Sequence, residues 1–289
     1  GLIVVLVLNL FPFGRYADNV VEAVTSTEQK QNSEDGIEYT EIHSAEELDT
    51  LIRKELNGHF KLVKDIDLSD YRSNTNTANQ GWLPIPNFTG VFNGNGHTIS
   101  GLRINRTGSS FLGLFGSVNG ATIKNVTVAL GGDILGSFAV GVIAGRTTHV
   151  TNNGAVLENN QVIGNGHTVR ATALLGYAGG LSGYSGDNTR LENNEVEHIN
   201  VLTNGVSNYA GGLVGAARNS SLFDNAINRA KVEAYSYAGG IAGVTYGYSA
   251  QAHSNGTLVT KNIVDTESSV QGRGSYAGGA FGAIYEGSE

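Results

Sequence analysis

Tyr209-Ala210-Gly211-Gly212-Leu213-Val214-Gly215 is a phrase to which this sequence keeps returning. It recurs as Tyr177-Ala178-Gly179-Gly180-Leu181-Ser182-Gly183, as Tyr237-Ala238-Gly239-Gly240-Ile241-Ala242-Gly243, and as Tyr276-Ala277-Gly278-Gly279-Ala280-Phe281-Gly282. Two degenerate copies come earlier, Gly113-Leu114-Phe115-Gly116 and Val142-Ile143-Ala144-Gly145. The closing glycines Gly116, Gly145, Gly183, Gly215, Gly243 and Gly282 stand 29, 38, 32, 28 and 39 residues apart. Self-similarity at such a period marks stacked repeats, each burying its apolar face only against its neighbours.

A second phrase follows the glycines: Leu157…Asn160…Val162, Leu191…Asn194…Val196, Leu222…Asn225…Ile227 and Val259…Asn262…Val264. The first unit has Ile123-Lys124-Asn125-Val126, in a shifted phase. From glycine to the next Asn the steps are 9, 15, 11, 10 and 19, and from Asn to the next glycine 20, 23, 21, 18 and 20. Most length variation therefore falls on one side of the repeat. These intervals fit two or three short strands with turns and leave no room for a helical pattern. The expected fold is all-β, a parallel β-helix in which each strand pairs with its equivalent in the next coil. In that geometry Asn125, Asn160, Asn194, Asn225 and Asn262 read as a structural amide ladder. Tyr177, Tyr209, Tyr237 and Tyr276, each six residues before a closing glycine, read as an aromatic stack, with a carbohydrate platform as the alternative. An unbroken strand puts Tyr and the following Leu or Ile on one face; a bulge at the Gly-Gly pair reverses this.

Composition bounds the function. Glycine is 41 of 289 residues and proline only 3, which suits many tight turns between hydrogen-bonded strands. The net charge is −8, but residues 18–70 hold 14 acidic against 5 basic residues, whereas residues 71–289 hold 12 of each. A neutral repeat body without a basic stripe argues against nucleic acid. With no cysteine there is neither a disulfide nor a thiolate metal site.

The chain opens on Gly1-Leu2-Ile3-Val4-Val5-Leu6-Val7-Leu8-Asn9-Leu10-Phe11-Pro12-Phe13, with no Met before it. That run is short for a spanning helix and suits the apolar part of a secretion signal, so residues 1–23 read as a truncated signal peptide or membrane anchor. A buried strand is the alternative, and Val21-Glu22-Ala23 is a candidate cleavage site. Residues 24–43 read as a disordered acidic lead-in. Ser44-Ala45-Glu46-Glu47 has capping-box spacing, and Leu48, Leu51, Ile52 and Leu56 mark one face of an amphipathic capping helix over 44–58. Such a helix would cover the open end of the core and the first strand's edge. The β-helix then occupies 59–289 in six repeats, with one strand expected from Phe60 to Asp70 and another from Phe88 to Phe92. No terminal cap follows the sixth phrase, so the natural protein is expected to continue past residue 289.

Gly113-Leu114-Phe115-Gly116, Gly180-Leu181-Ser182-Gly183 and Gly212-Leu213-Val214-Gly215 resemble the pattern of GLUG-repeat proteins. Trp82-Leu83-Pro84-Ile85 with Phe88-Thr89-Gly90-Val91-Phe92-Asn93-Gly94-Asn95-Gly96-His97-Thr98-Ile99 is similar to the entry coil of the same bacterial surface proteins. The resemblance covers about residues 60–289. It implies a right-handed β-solenoid in a secreted or wall-attached adhesin; similar repeats occur in the non-catalytic part of immunoglobulin A-cleaving metalloproteases.

No catalytic constellation stands out. The seven histidines are scattered, and none has zinc-ligand spacing; His97 and His167 each follow an Asn-Gly turn. Glycoside hydrolysis needs two nearby carboxylates, for which Asp65, Asp67 and Asp70, or Glu192, Glu195 and Glu197, are the candidates. The expectation is a non-enzymatic surface segment working in adhesion or as a spacer, located outside the cell or on a bacterial surface. No cofactor or metal is called for. A polysaccharide lyase or hydrolase, or the upstream region of a secreted zinc protease, is the alternative. Binding of a host or cell-surface protein or glycan belongs to the long insertions near 146–156 and 244–258. The second of these holds Tyr246, Tyr248 and His253, groups able to stack on a sugar or dock on a protein.

Overall fold

The structure, a computed structural model, describes residues 36–71, 79–150, 153–247, 257–274 and 276–284. Residues 1–23, most of the acidic lead-in, and Tyr248 and His253 lie outside that set.

The chain winds as a parallel β-solenoid of about six turns, and every ladder between its strands is parallel. One coil shows the plan. Arg190–Glu192 belongs to a first sheet, Glu195–Glu197 and Asn200–Thr203 to a second, Tyr209–Gly211 to a third and Val214–Arg218 to a fourth. Among the described residues these sheets hold eight, eleven, six and six strands. Period-two alternation makes these segments strands: in Arg190-Leu191-Glu192 and Glu195-Val196-Glu197 only the central residue is apolar, and it alone is buried. Register then stacks like on like. The first sheet sends Phe60, Phe92, Ile123, Leu157, Leu191 and Leu222 inward, one above another. The second does the same with Ile99, Val128, Val162, Val196 and Ile227. Each such side chain contributes about 1.5–3 kcal/mol on burial.

Order begins earlier than the acidic composition led us to expect. Thr40–Ile42 is the outermost strand of the first sheet, paired with His59–Leu62, and Tyr39 and Ile42 are buried. Two large apolar side chains outweigh the surrounding charge there. The segment 60–70 is two strands, His59–Leu62 and Ile66–Asp67, on two different sheets. Between Thr40–Ile42 and His59–Leu62 in sequence runs the helix Ala45–Lys54, capped by Ser44, whose Oγ accepts the Glu47 N–H at 3.1 Å. Glu47 reaches back to the His43 N–H at 2.7 Å. Leu48 and Ile52 are fully buried, and Arg53 pairs with Asp49 and donates to the carbonyls of Leu83 and Pro84.

At the corner between the first and second sheets stands an amide ladder. Asn160 Nδ2 donates to Asn194 Oδ1 at 3.1 Å, Asn194 to Asn225 at 2.9 Å, and Asn225 to Asn262 at 2.7 Å. Each Oδ1 also accepts the backbone N–H of the coil before. Asn125 is not a rung: its place is taken by Val126, whose N–H donates to Asn160 Oδ1 at 3.3 Å. Asn125 instead occupies the left-handed position next to it, φ 55°, as do Asn159, Asn193, Asp224 and Lys261 at 52–54°. Asn tolerates that conformation, so it recurs there for a different reason.

The closing glycines lie where the fourth sheet runs against the third. A Cβ on Gly215 would stand 2.6 Å from the Gly183 carbonyl oxygen and 2.7 Å from the Ala178 nitrogen, in the coil before.

Candidate functional site

The Tyr phrase builds the outer surface between the third and fourth sheets. At the Gly-Gly pair the strand turns a corner, so Ala210 and Leu213 both enter the core and Tyr209 is left outside. Rungs of the third sheet read Phe111, Ala139, Tyr177, Tyr209, Tyr237 and Tyr276. The four tyrosine rings stack face to face, 5.4, 4.9 and 5.3 Å apart and within 14° of parallel.

The stack ends at Ala139. That rung carries no ring, and Phe111, Phe138 and Tyr177 around it line one side of a groove of about 440 Å³. Phe138 turns partway in, perpendicular to its neighbours, 5.1 Å from the Tyr177 ring and 6.0 Å from Phe111. The facing rungs of the fourth sheet are Arg146 and Tyr184, where later coils have Ala216 and Val244. Ala216 and Val244 share coils with Tyr209 and Tyr237, whereas Arg146 shares the coil of Ala139 and Tyr184 that of Tyr177, the Tyr184 and Tyr177 rings 5.7 Å apart. Thr148, His149, Asp187, Arg218 and Tyr246 complete the wall.

The polar groups of the groove differ in kind. Arg218 grips Asp187 through two bonds, one of 2.9 Å from Nε, and Asn219 Nδ2 donates to the same carboxylate at 2.8 Å. His149 Nδ1 stands 4.0 Å from it. Arg146 stands over Phe111, its guanidinium carbon 4.3 Å from the ring centroid. Its Nε is buried and has no hydrogen-bond partner among the described residues. Burial, then the neighbouring Tyr184, pushes the Tyr246 phenol well above its ordinary range and raises that of Tyr177. These are therefore neutral hydroxyls at physiological pH, able to donate and accept.

Of the residues singled out in the sequence, Tyr246 and Tyr177 line the groove together. Tyr209, Tyr237 and Tyr276 continue the stack away from it, and Tyr248 and His253 lie outside the described residues. Both long insertions leave from the fourth sheet, and their first residues, Arg146, His149 and Tyr246, are groove wall. Phe111, Phe138, Arg146, Tyr184, Asp187 and Arg218 were not singled out. Their one signal was Ala139, six residues before Gly145, where four other copies have Tyr.

The acidic candidates are otherwise engaged. Asp65 accepts the Thr98 N–H at 2.9 Å and faces His97 at 3.3 Å, and Asp133 does the same for Thr168 at 2.8 Å, facing His167 at 3.7 Å. Asp67 accepts the Ser69 N–H at 2.9 Å. Glu192 pairs with Arg190, Glu197 with Arg229, and Glu195 accepts from Gln161 and Asn228. Among the described residues no three His, Asp or Glu side chains gather to hold a metal ion.

The Thr98 N–H holds the Asp65 carboxyl below its usual range, and Ser69 holds Asp67 there. With folded values below the unfolded value near 3.9, the unfolded chain binds more protons as pH falls. The stabilisation is complete above that value and is lost as pH falls through the folded ones. The urea midpoint should therefore drop between about pH 5 and pH 3, and the Asp65→Asn, Asp67→Asn double variant should show a shallower drop. Identical pH profiles would refute this role.

No family model matches the chain. Halomucin from Haloquadratum walsbyi is 35% identical over 131 residues, 41% of this chain and 1% of its own length. A protein provisionally named Gly-rich membrane protein, from Evansella cellulosilytica, is 36% identical over 109 residues, 36% of this chain and 12% of its own length. The chain thus matches only a small part of either relative. A crystal structure from Bacteroides ovatus, provisionally assigned as an immunoglobulin A1 protease, covers 86% of this chain and 84% of its own, with 16% identity and a TM-score of 0.48.

Proposed function

We propose that the chain is a non-enzymatic repeat segment of an extracellular or cell-surface protein, and that it works in adhesion by presenting the aromatic groove. The observation that carries this is the construction of the groove. Its walls are rungs of two parallel sheets, and the strands that carry Ala139, Tyr177, Arg146 and Tyr184 are each hydrogen-bonded on both sides, so the surface is fixed before any ligand arrives. The surface location draws support from the membrane assignment in one relative's name. In this reading the coils are right-handed and of the GLUG kind, and the helix Ala45–Lys54 seals the first end of the core with Leu48 and Ile52. Asp65 and Asp67, held as carboxylates by turn contacts, are poorly suited to supply the proton a glycosidase needs, which favours binding over catalysis.

Beads coated with the chain, washed over glycan-coated and cell-coated surfaces, should be retained, and beads coated with the Tyr184→Ala, Tyr246→Ala variant should be retained several-fold less. Equal retention of the two would remove the groove from adhesion. Release of reducing ends or unsaturated sugars from a polysaccharide panel, abolished in Asp65→Asn, would overturn the non-enzymatic reading.

A further inference from the structure

We infer that the groove takes a carboxylate-bearing saccharide, with the carboxylate on Arg146 and the sugar ring against the aromatic wall. The inference rests on the adhesive reading above and adds the chemistry of the ligand.

The first argument is charge. Most arginines of the described chain have an oxygen partner: Arg53 has Asp49, Arg106 has Gln80, Arg190 has Glu192, Arg218 has Asp187, Arg229 has Glu197 and Arg273 has Glu233. Arg146 and Arg170 have none among the described residues, and only Arg146 lines the groove. Asp187 and Arg218 cancel, which leaves one positive charge. A guanidinium is planar and holds its donors in its own plane; Arg146 Nε is buried, and none of the Arg146 donors meets a hydrogen-bond partner among the described residues. The group that fits such donors is a planar anion accepting two parallel bonds, and a carboxylate is one. Burial of the groove strengthens such a bond and leaves an unmatched donor costly.

The second argument is what surrounds the cation. Tyr184 and Tyr246 are half-buried rings with a hydroxyl at the tip, and Thr148 adds another hydroxyl, whereas Tyr177 is buried behind them, stacked on Tyr209 and met by Phe138. Alternating apolar and hydroxyl surface matches a sugar, whose ring has a C–H face and a rim of hydroxyls. The volume of about 440 Å³ lies in the range of small-ligand sites and admits a short saccharide segment.

The third argument separates a saccharide from an acidic peptide. An extended peptide gains affinity chiefly by adding a strand to a free sheet edge. Here Ala139–Val140 is paired to Phe111–Leu112 on one side and Tyr177–Gly179 on the other, and Ala144–Thr148 is likewise paired on both sides. From Phe111–Leu112, which ends the third sheet, through Ala139–Val140 to Tyr177–Gly179, neighbouring strands are already paired to one another, so no main chain can be added between them.

The test is isothermal titration calorimetry of the whole chain with tetragalacturonate and sialyllactose, against maltotetraose and lactose as neutral counterparts and tetraglutamate as the peptide. At least one acidic saccharide should bind, and its neutral counterpart at least about tenfold more weakly. Arg146→Gln should lose about tenfold or more, Arg146→Lys should fall between, and Arg170→Gln should match the parent. Arg146→Gln removes no hydrogen bond, and an unchanged thermal midpoint shows that it folds. No heat with either acidic saccharide, equal binding of the neutral sugar, binding unaffected by Arg146→Gln, or tetraglutamate as tight as the saccharide would each overturn the inference. Beads retained equally by parent and Arg146→Gln would remove only the ligand assignment. Parent beads that are not retained would remove the adhesive reading as well.

Discussion

Replacing Gly212 with alanine should lower the unfolding free energy by more than about 4 kcal/mol, and replacing Gly279 by less than about 0.5. The two residues hold the same position in copies of one phrase that stand two coils apart. At Gly212 a Cβ would sit far inside contact with the Gly240 carbonyl oxygen of the next coil and 2.9 Å from Ile227 Cγ2. That oxygen is backbone in a paired sheet and cannot withdraw unless the coils separate. A Cβ at Gly279 meets nothing within 4 Å. Urea unfolding of the two variants, followed by circular dichroism, reads the difference directly. Similar costs at both sites would mean that the glycine serves the bend of its own strand rather than the approach of the next coil.

Asn194→Ala should cost about 3–5 kcal/mol, against about 1 for Asn125→Ala. The Asn194 amide accepts from the Asn160 backbone and side chain and donates to the Leu157 carbonyl at 2.8 Å, all in a buried setting. Truncation breaks four buried bonds, the one to Asn225 included; the Asn160 N–H loses its acceptor while Asn160 Nδ2 keeps the Ile123 carbonyl, and each group left unmatched costs about 1–3 kcal/mol, partly relieved by relaxation. Asn125 loses a single side-chain bond, 3.3 Å to Asn93, and its fitness for a left-handed φ. Denaturation curves for both variants check the ratio. Equal values would erase the distinction between rung and corner.

The architecture was legible because stacking makes each coil repeat what its neighbours need. A glycine that admits the next backbone, an inward Leu or Val, and an amide that caps the coil before it recur at one period, and period survives in sequence. Phase was harder to read. Coils with Asn159-Asn160 and Asn193-Asn194 carry a corner Asn and a rung Asn side by side, whereas Lys124-Asn125-Val126 keeps only the first. One letter with two physical roles cannot be sorted by spacing alone. The strand at Thr40–Ile42 was hidden by its acidic surroundings, since local composition says nothing of a partner 20 residues away. The groove was half legible. The sequence pointed to the insertions and to Tyr246, but Phe138 and Arg146 of one coil meet Tyr184 of the next only through register, and the rung between Phe111 and Tyr177 carries Ala139 rather than a ring.

In-register stacking also makes the coil a unit of length that can be cut. Glu195 lies opposite Ala226, so excising the 31 residues 195–225 would join Asn194 to Ala226 and bring every surviving strand to a matching partner. The shortened molecule would keep its frame and acquire a different surface. Tyr237 would take the rung of Tyr209, and Tyr246 would stand where Arg218 stood, leaving Asp187 without its fork. Recombination in steps of one coil can thus rewrite the charge of the groove while the scaffold beneath it stays the same.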